Sequence, residues 1–472
     1  MNIEKNYEKT KKLLENHHQS HLFAFWGQLN DDQRENLLEQ IRQLDFEKID
    51  FWVANIIKKA APEAIRSDFT PAPSYNPESA DPQQQHKYAK AVKRGKELIS
   101  SGKVAAFVVA GGQGTRLGFD GPKGDFPISP VKNKTLFRIF AESIAAVSEK
   151  YRASCPWYVM TSPLNHEKTK EIFRRNNYYG LDEKNVFIFQ QGTLPNFSPD
   201  GRILLAGKSA IACSPDGHGG SFKALYESGA LDDMKRRGIE YLSYFQVDNP
   251  LIKIFDPLFI GLHVLDEAEM SSKALKKARP KEKVGNFCLV DGKVTVIEYS
   301  DLPDELAEKR SPDGSLVFEL GSIAIHIISR SFVEKLNADD SSLPLHKAVK
   351  KIPHIDEKGN KVESEGVKLE SFVFDALPLS SNSIILQTIR SEEFAPTKNA
   401  TGVDSAETTR QMMVERAADW LESAGVTIPR KPDGSVDCVL EIAPSFALEK
   451  EDIKEKLDQV PEIKPGDEIY LS

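Results

Sequence analysis

The spacing of apolar residues near the N-terminus is helical. Apolar side chains recur three and four positions apart at Leu37, Leu38, Ile41 and Leu44, which places them on one face of an α-helix. The polar run at 30–32 that precedes them suits an N-cap and a first helical turn. The pattern therefore predicts helices up to about residue 60.

A stretch rich in proline follows, from Pro62 to Pro82. Proline lacks a backbone N–H and restricts the residue before it, so regular structure cannot continue far through such a stretch. The sequence therefore predicts a connection here, and then a further helix at about 83–101.

From Val104 onwards, short apolar runs alternate with helical segments. The runs are VAAFVV at 104–109, WYVMT at 157–161, VFIFQ at 186–190 and YLSYFQV at 241–247. Strands that alternate with helices are typical of a mainly parallel sheet covered by helices. The pattern therefore predicts an α/β core.

Other patterns add antiparallel structure and a small C-terminal part. Asp291-Gly292 lies between two alternating runs within 286–300 and predicts a β-hairpin. After SIILQTI at 383–389, the sequence predicts a helix at about 405–424 and a short strand at 437–442. We therefore expect an N-terminal helical region with its Pro-rich connection at 1–100, a core at 101–400 and a small α+β domain at 401–472.

Charge and composition exclude several classes of protein. The chain has 62 basic and 70 acidic residues, a net charge of −8, and no long run of one sign, which argues against a nucleic-acid or membrane-surface partner. The start of the sequence is charged, and no run of about 18 apolar residues occurs, so we expect a cytoplasmic protein. The four cysteines are far apart and indicate neither a zinc site nor a disulfide framework: Cys155, Cys213, Cys288 and Cys438.

The stretch AGGQGTRLGFDGPK at 110–123 contains five glycines, one arginine and one lysine directly after the first predicted strand. It matches neither the Walker pattern, since Lys123 is followed by Gly124, nor G-x-G-x-x-G, since Leu117 occupies the third glycine position. Glycines let a backbone approach a ligand closely, and exposed N–H groups at a helix start attract anions. The context is that of a ligand-binding βα turn, and we interpret the stretch as a phosphate-binding loop.

Further segments follow this loop in a characteristic order. They are FQQGTLP at 189–195, SPDGHGG at 214–220, VDNPL at 247–251, IEYSD at 297–301, FVFD at 372–375 and EEFAPTKNA at 392–400. With the loop and the PKG that ends it, they resemble the UDP-N-acetylglucosamine pyrophosphorylase branch of the UTP:sugar-1-phosphate uridylyltransferases, over about residues 20–445. The resemblance implies a Rossmann-like nucleotidyltransferase core with a mostly parallel mixed sheet, an N-terminal helical region and a small C-terminal domain.

The resemblance also implies a reaction. UTP and a sugar 1-phosphate would give a UDP-sugar and pyrophosphate, with a divalent metal, Mg²⁺ or alternatively Mn²⁺. The attacking phosphate oxygen is already ionised, so the protein can act by positioning its substrates and stabilising charge. Arg116 and Lys123 suit the triphosphate, because the leaving pyrophosphate gains negative charge.

Other phosphate and metal ligands are implied by matching positions of the family. Lys398 would hold the sugar phosphate or the α-phosphate, and Lys368 is a further possible phosphate contact. Asp248 follows an apolar run, so we expect it at the carboxyl end of a strand, where open α/β sheets bind ligands. The matching family position implies that it binds the metal or a metal-bound water, and Mg²⁺ commonly takes only one or two protein carboxylates.

For uridine, the family positions correspond to the backbone of Ala110, Gly111 and Gly112 and to the side-chain amide of Gln191. Such an amide can satisfy both a donor and an acceptor on a uracil edge. The neighbouring Gln190 is an alternative reader of the base. Gly217 is assigned to nucleotide binding by the same resemblance.

The sugar-binding positions match only in part. Glu298, Phe372 and Phe374 match the N-acetylglucosamine branch, whereas His218 and Ser322 stand where that branch typically has asparagines. We therefore expect N-acetylglucosamine 1-phosphate as the first choice, with glucose 1-phosphate or a broad range of sugars as alternatives. A nucleotide-sugar-binding protein without turnover is a different possibility, but the cations of the loop have little use in a protein that only binds.

Overall fold

The structure is a computed structural model and describes residues 3–59, 69–338 and 343–472. Its α-helices are α1 Ile3–Asn16, α2 Asp31–Arg42, α3 Phe46–Trp52, α4 Pro82–Ser100, α5 Leu136–Tyr151, α6 His166–Arg175, α7 Ser221–Glu227, α8 Ala230–Arg237, α9 Pro257–Leu265, α10 Asp304–Ala307, α11 Arg330–Ala338, α12 Arg390–Glu393 and α13 Ala406–Ser423. Its strands are β1 Thr70–Pro71, β2 Val104–Val109, β3 Trp157–Thr161, β4 Val186–Gln190, β5 Thr193–Pro195, β6 Leu205–Gly207, β7 Ala210–Ile211, β8 Cys213–Pro215, β9 Tyr241–Gln246, β10 Met270–Lys276, β11 Asn286–Val290, β12 Lys293–Ile297, β13 Leu320–Ser329, β14 His346–Ile355, β15 Lys361–Glu370, β16 Ile385–Thr388, β17 Val439–Ile442 and β18 Glu468–Leu471.

The chain divides into two units by its internal contacts. Unit one comprises Met1–Arg66, Gly192–Gly220 and Ser342–Val373, and unit two comprises Ser67–Gln191, Ser221–Ser341 and Phe374–Ser472. This division does not follow the linear one predicted at 1–100, 101–400 and 401–472. The division depends on contacts between residues that are far apart in the sequence. Such contacts produce no periodic pattern of apolar residues from which they could be predicted.

In unit one, helices α1 to α3 pack with short antiparallel strand pairs. Asn30 caps α2 as expected, accepting from the Gln33 N–H while the Gln33 side chain accepts from the Asn30 N–H. This reciprocal pair satisfies two backbone donors at the helix start. The buried face of α2 joins one hydrophobic cluster with residues of the strand segments, among them Phe197, Val367 and Leu369. The N-terminal helices therefore gain their stability from later parts of the chain.

Unit two contains a mixed ten-stranded sheet. Strands β4, β3, β2 and β9 are parallel neighbours in that order, and the strands from β13 outwards to β11, β12 and β1 are antiparallel. β10 lies antiparallel to β13 and parallel to β16. The parallel part was predicted from the apolar runs, and β3 and β4 have the predicted bounds. The largest core cluster includes residues of β2 and β9 together with α4, α5 and α9.

The predicted hairpin is confirmed. β11 and β12 pair in register, and Asp291 and Gly292 between them have φ values of 49° and 74°. Two successive residues with positive φ form the hairpin turn that fits the twist of the flanking strands. Asn286 of β11 also pairs with Gly321 of β13, so the hairpin belongs to the sheet of unit two.

The C-terminal part of unit two has its own hydrophobic cluster. α13 contributes Ala418 and Leu421, and the parallel pair β17–β18 contributes Leu440 and Leu471. The predicted helix and strand are therefore both present, and a second strand, β18, lies beside β17. A cluster of this kind is what a small appended domain requires.

The described part of the Pro-rich connection pairs with the sheet of unit two. Its residues up to 68 lie outside the described part of the chain, whereas β1 pairs with β11 and Tyr75 bridges to Leu386.

Across the three described ranges, no helix has the length and apolar composition needed to cross a bilayer.

Candidate functional site

The glycine-rich loop begins where β2 ends and is held through its carbonyl groups. Asn165 donates from Nδ2 to the carbonyls of Ala110 (2.9 Å) and Gly112 (3.2 Å), and Ser162 Oγ donates to that of Gly111 (2.8 Å). In a trans peptide unit the N–H points away from the C=O. Because three successive carbonyls are bound by the β3–α6 connection, the N–H groups that follow them point to the opposite side.

The loop does not lead directly into an α-helix, so the expected βα turn is wrong in that respect. Two short 3₁₀ turns follow instead, Thr115–Leu117 and Lys123–Asp125, and α5 begins only at Leu136. Gly118 ends the first turn with φ 70°, a conformation that favours glycine. Attraction of an anion here therefore depends on loop N–H groups and on the cations Arg116 and Lys123, without a long helix dipole.

Gln191 lies against the loop. A methyl group on Gly111 would lie 2.4 Å from Oε1 of Gln191, so the amide lies directly against this glycine. Gln191 is buried and its N–H donates to the carbonyl of Thr161, whereas Gln190 is exposed. Of the two glutamines considered from the sequence, Gln191 is therefore the one next to the loop.

Lys123 and Asp248 form a partly buried pair of opposite charge. Lys123 Nζ lies 3.8 Å from Asp248 Oδ2, and the two side chains are 17% and 12% exposed. Asp248 follows β9, as predicted. The pair brings a cation of the glycine-rich loop next to the carboxylate predicted to bind metal.

The segment that carries Lys398 runs beside Asp248. The Thr397 N–H donates to the carbonyl of Asp248 (2.8 Å). Asn249 donates from Nδ2 to the carbonyl of Glu393 (2.6 Å) and accepts from the Ala395 N–H (3.0 Å). Lys398 is half-buried, with Nζ 6.0 Å from the centre of the Phe394 ring.

These contacts bring three of the predicted residues to one place, namely Lys123, Asp248 and the backbone that carries Lys398. Arg116 is exposed on the first 3₁₀ turn of the glycine-rich loop. In the described ranges, no three His, Cys, Asp or Glu side chains converge on a point where they could hold a metal ion. One carboxylate beside the glycine-rich loop fits a Mg²⁺ ion, which takes most of its ligands from substrate phosphates and water.

Glu298 and Ser322 flank Gly285 in the antiparallel part of unit two. The Ser322 N–H donates to the carbonyl of Gly285 (2.8 Å), and a methyl group on Gly285 would lie 3.1 Å from Glu298 Oε1. Behind them, Lys277 Nζ donates to Asn286 Oδ1 (2.6 Å), and burial lowers the pKa of Lys277. The predicted sugar contacts therefore lie on a well-supported part of the sheet, whereas Phe374 is buried in the 3₁₀ segment Val373–Leu379.

In unit one, His218 and Phe372 form part of a stack of rings. The His218 ring is stacked on Phe372 with centroids 5.3 Å apart, and His346 is stacked on the same ring at 4.5 Å. His218 Nδ1 accepts from the Val373 N–H (3.0 Å), so the proton of the neutral ring is on Nε2. His346 was not predicted from the sequence, because the residues next to it form no recognisable motif.

Gly217 and Lys368 also belong to unit one. A methyl group on Gly217 would overlap the carbonyl of Ser371, so this loop fits closely against the segment before Phe372. Lys368 is half-buried in β15, opposite Ala348 of β14. Gly217, His218 and Phe372 are therefore brought together, and Lys368 lies on the hairpin that leads to them.

The chain is similar to several known proteins. A family model described as UTP–glucose-1-phosphate uridylyltransferase matches residues 63–472. The UDP-N-acetylhexosamine pyrophosphorylase-like protein 1 of Homo sapiens is 36% identical over 468 residues, covering 92% of each chain. The UDP-N-acetylglucosamine pyrophosphorylase of Saccharomyces cerevisiae is 35% identical over 445 residues, covering 89% of this chain and 92% of its own. The crystal structure of the uridine diphosphate N-acetylglucosamine pyrophosphorylase from Trypanosoma brucei, in complex with an inhibitor, has a TM-score of 0.83 and 26% identity, covering 99% of this chain and 98% of its own.

Proposed function

The chain belongs to the UTP–glucose-1-phosphate uridylyltransferase family, and we propose that it joins UTP and N-acetylglucosamine 1-phosphate to form UDP-N-acetylglucosamine and pyrophosphate. The main structural support for this reaction is that Lys123, Asp248 and the segment of Lys398 lie close together beside the glycine-rich loop. The choice of sugar is supported by relatives about 35% identical whose names specify UDP-N-acetylglucosamine.

The proposed reaction is a displacement at phosphorus. A phosphate oxygen of the sugar 1-phosphate forms a bond to the α-phosphorus of UTP, and the bond from that phosphorus to the bridging oxygen breaks. Pyrophosphate leaves with the electron pair. No proton has to be removed from the nucleophile, so the protein acts by alignment and by stabilising the charge that develops on the leaving group.

Three cations would share this task. Arg116 and Lys123 would bind the β- and γ-phosphates of UTP and stabilise the pyrophosphate as it leaves. Lys398 would hold the sugar phosphate or the α-phosphate, which keeps two polyanions in line despite their repulsion. Lys368, in unit one, is a further candidate for a phosphate contact.

We propose that Asp248 holds Mg²⁺, with Mn²⁺ as an alternative. When bound, the ion would neutralise phosphate charge. Lys123 Nζ lies 3.8 Å from the Asp248 carboxylate and would add its own positive charge beside the phosphates. We expect EDTA to abolish activity, Mg²⁺ to restore it, and Asp248→Asn to raise the Mg²⁺ concentration needed; Asp313→Asn, at an exposed turn, is the control.

Uridine would be bound by the loop backbone at Ala110, Gly111 and Gly112, with the Gln191 amide reading the base edge. The contact between Gln191 and Gly111 supports this assignment. Gly217 remains a predicted nucleotide contact.

A second sugar is favoured by a specific observation. His218 and Ser322 replace the two asparagines of the N-acetylglucosamine branch, which leaves glucose 1-phosphate as a second substrate or a broad sugar range as the third possibility. Glu298, Phe372 and Phe374 would contact the sugar in each case.

The test is pyrophosphate release from UTP with a panel of sugar 1-phosphates. We expect the highest kcat/KM with N-acetylglucosamine 1-phosphate and measurable release with glucose 1-phosphate. Tight UDP-sugar binding without pyrophosphate release from any sugar phosphate would instead identify a protein that only binds nucleotide sugars.

A further inference from the structure

Helix α13 of the C-terminal part contacts the two segments that carry Asp248 and Lys398. Arg416 of this helix donates from Nη1 to the carbonyl of Leu251 (3.0 Å) and to the carbonyl of Glu392 (3.2 Å). Leu251 follows Asp248 by three positions, and Glu392 precedes Lys398 by six. One nitrogen of one side chain therefore joins the two segments through their backbones.

The Arg416 side chain is itself fixed. Its guanidinium lies 5.0 Å from the centre of the Trp420 ring, one turn further along α13. Trp420 Nε1 in turn donates to Glu392 Oε2 (3.0 Å). Burial lowers the pKa of Arg416 to about 10, so the group still carries its charge at neutral pH. A charged donor with a stacked, restricted side chain is suited to holding two carbonyls at a fixed spacing.

A second link joins the same segments from inside the core. Asn249 binds the carbonyl of Glu393 and the N–H of Ala395, and the buried Lys273 holds the Glu393 carboxylate with 2.5 and 2.6 Å contacts. The segment before Lys398 is therefore attached to the core at Glu393 and Ala395 and to α13 at Glu392. Arg416 and Trp420 of α13 make the attachment at Glu392, and Thr397 Oγ1 donates to Thr409 Oγ1 of the same helix (3.1 Å). Among these contacts of α13, the one through Arg416 also reaches Leu251 of the Asp248 segment.

We propose that Arg416 is a positioning residue that sets the spacing between the Asp248 turn and Lys398, and so aligns the sugar phosphate with the α-phosphorus of UTP. This inference rests on the proposed function. Misplacement of reacting groups by about 1 Å can cost about 10²-fold in rate. Because the uridine-binding loop has its own supports, loss of Arg416 should lower kcat while changing the KM for UTP little.

The kinetic test compares three variants. We expect Arg416→Met to lower kcat by at least about tenfold with a KM for UTP within about threefold, and Arg416→Lys, which keeps a charged donor, to recover part of the loss. Arg430→Met is the matched control, because Arg430 pairs with Glu415 and Glu422 of the same helix and with neither segment. An unchanged kcat in Arg416→Met, or an equal loss in Arg430→Met, would overturn the proposal.

A second readout does not require turnover. The N–H groups of Ala395 and Thr397 bind Asn249 Oδ1 and the carbonyl of Asp248, so their hydrogen exchange reports the spacing directly. Arg416→Met should accelerate exchange at both N–H groups by about tenfold and leave exchange in β2 unchanged. Arg430→Met should leave exchange unchanged at both groups and in β2. Equal exchange in Arg416→Met and the unmodified protein overturns the proposal, whereas absence of pyrophosphate release by the unmodified protein defeats only the proposed function.

Discussion

Two glycine-containing loops each carry predicted ligand contacts, and they are supported in different ways. In the loop at 110–123 of unit two, Ser162 and Asn165 bind backbone carbonyls, so the charged side chains are not needed to shape it. In the loop at 216–220 of unit one, the His218 ring stacks on Phe372 and accepts a backbone N–H. The side chain predicted to contact the sugar therefore also holds its own loop.

This difference has a consequence for substitutions. In the loop at 110–123, the residues that hold the backbone in place differ from the residues that carry the charge. Each of the two properties can therefore be changed by a substitution without changing the other. In the loop at 216–220, a change at His218 alters both support and recognition. We therefore expect sharp, charge-specific effects in the first loop and smaller, mixed effects in the second.

The largest effect is expected from removing charge at 110–123. Arg116→Ala and Lys123→Ala should each lower kcat by about 10²-fold or more, the scale observed when a preorganised charge-stabilising group is removed. Pyrophosphate release measures this, and thermal melting should show little change in Arg116→Ala because Arg116 is exposed. Arg138→Ala, an exposed arginine of α5, is the control. Near-normal turnover in both loop variants would contradict the phosphate role.

The next largest effect is expected from removing the side chain that holds the backbone of the same loop, while its charged residues are kept. Asn165→Ala removes the donor to the carbonyls of Ala110 and Gly112, and buried groups that lose their partner cost about 1–3 kcal/mol. We expect the KM for UTP to rise by about tenfold, with a smaller change in kcat than in Lys123→Ala. Steady-state kinetics with varied UTP measure it.

The control for this variant is Asn176→Ala, at the other end of helix α6, where the amide binds only the carbonyl of Ile172 of its own helix. A KM for UTP that is unchanged in Asn165→Ala would mean that the loop keeps its shape without these bonds. The contrast between the two loops would then be lost.

A smaller effect is expected from the ring stack of unit one. His346→Ala removes one of the two rings stacked on Phe372, and aromatic pairs contribute about 0.5–1.5 kcal/mol. The KM for the sugar phosphate should rise by about threefold to tenfold, and the KM for UTP should stay the same. His354→Ala on the same strand β14 is the control, since its ring binds the carbonyl of Ile352. An equal rise in the KM for UTP would show that the stack does not act on the sugar alone.

Local patterns predicted several of the elements of the structure. The N-cap of α2, the strands β3 and β4 and the Asp291-Gly292 turn each depend on residues within a few positions of one another. The family resemblance likewise implied Lys123 and Asp248, whose side chains lie 3.8 Å apart, and Lys398, whose segment runs beside Asp248. These features are encoded by neighbours in the sequence.

The missed features depend on contacts between distant residues. Asn165 binds a carbonyl 55 positions away, and Arg416 binds one 165 positions away. Neither residue has a distinctive neighbourhood, because one precedes an ordinary helix and the other lies within one. The two-unit division has the same origin, since unit one is assembled from three separate stretches.

The last expected effect concerns the choice of sugar. His218→Asn combined with Ser322→Asn introduces two amides that can donate to and accept from an acetamido group. The unmodified protein should use N-acetylglucosamine 1-phosphate and glucose 1-phosphate with kcat/KM values within about 10²-fold of each other, because a site without dedicated polar partners discriminates by only about 1–3 kcal/mol. The double variant should shift this ratio towards the acetamido sugar by about tenfold.

The loop at 216–220 makes this variant feasible, because an asparagine oxygen can accept the Val373 N–H that His218 Nδ1 accepts now. The ring contact with Phe372 is lost in any case, so His218→Ala with Ser322→Asn is the matched control that loses the ring without gaining the amide at 218. If that control shifts the ratio as far as the double asparagine variant does, ring loss is the cause. Strict use of one sugar by the unmodified protein would mean that residues 218 and 322 do not select for or against the acetamido group. The specificity would then arise from contacts that neither position provides.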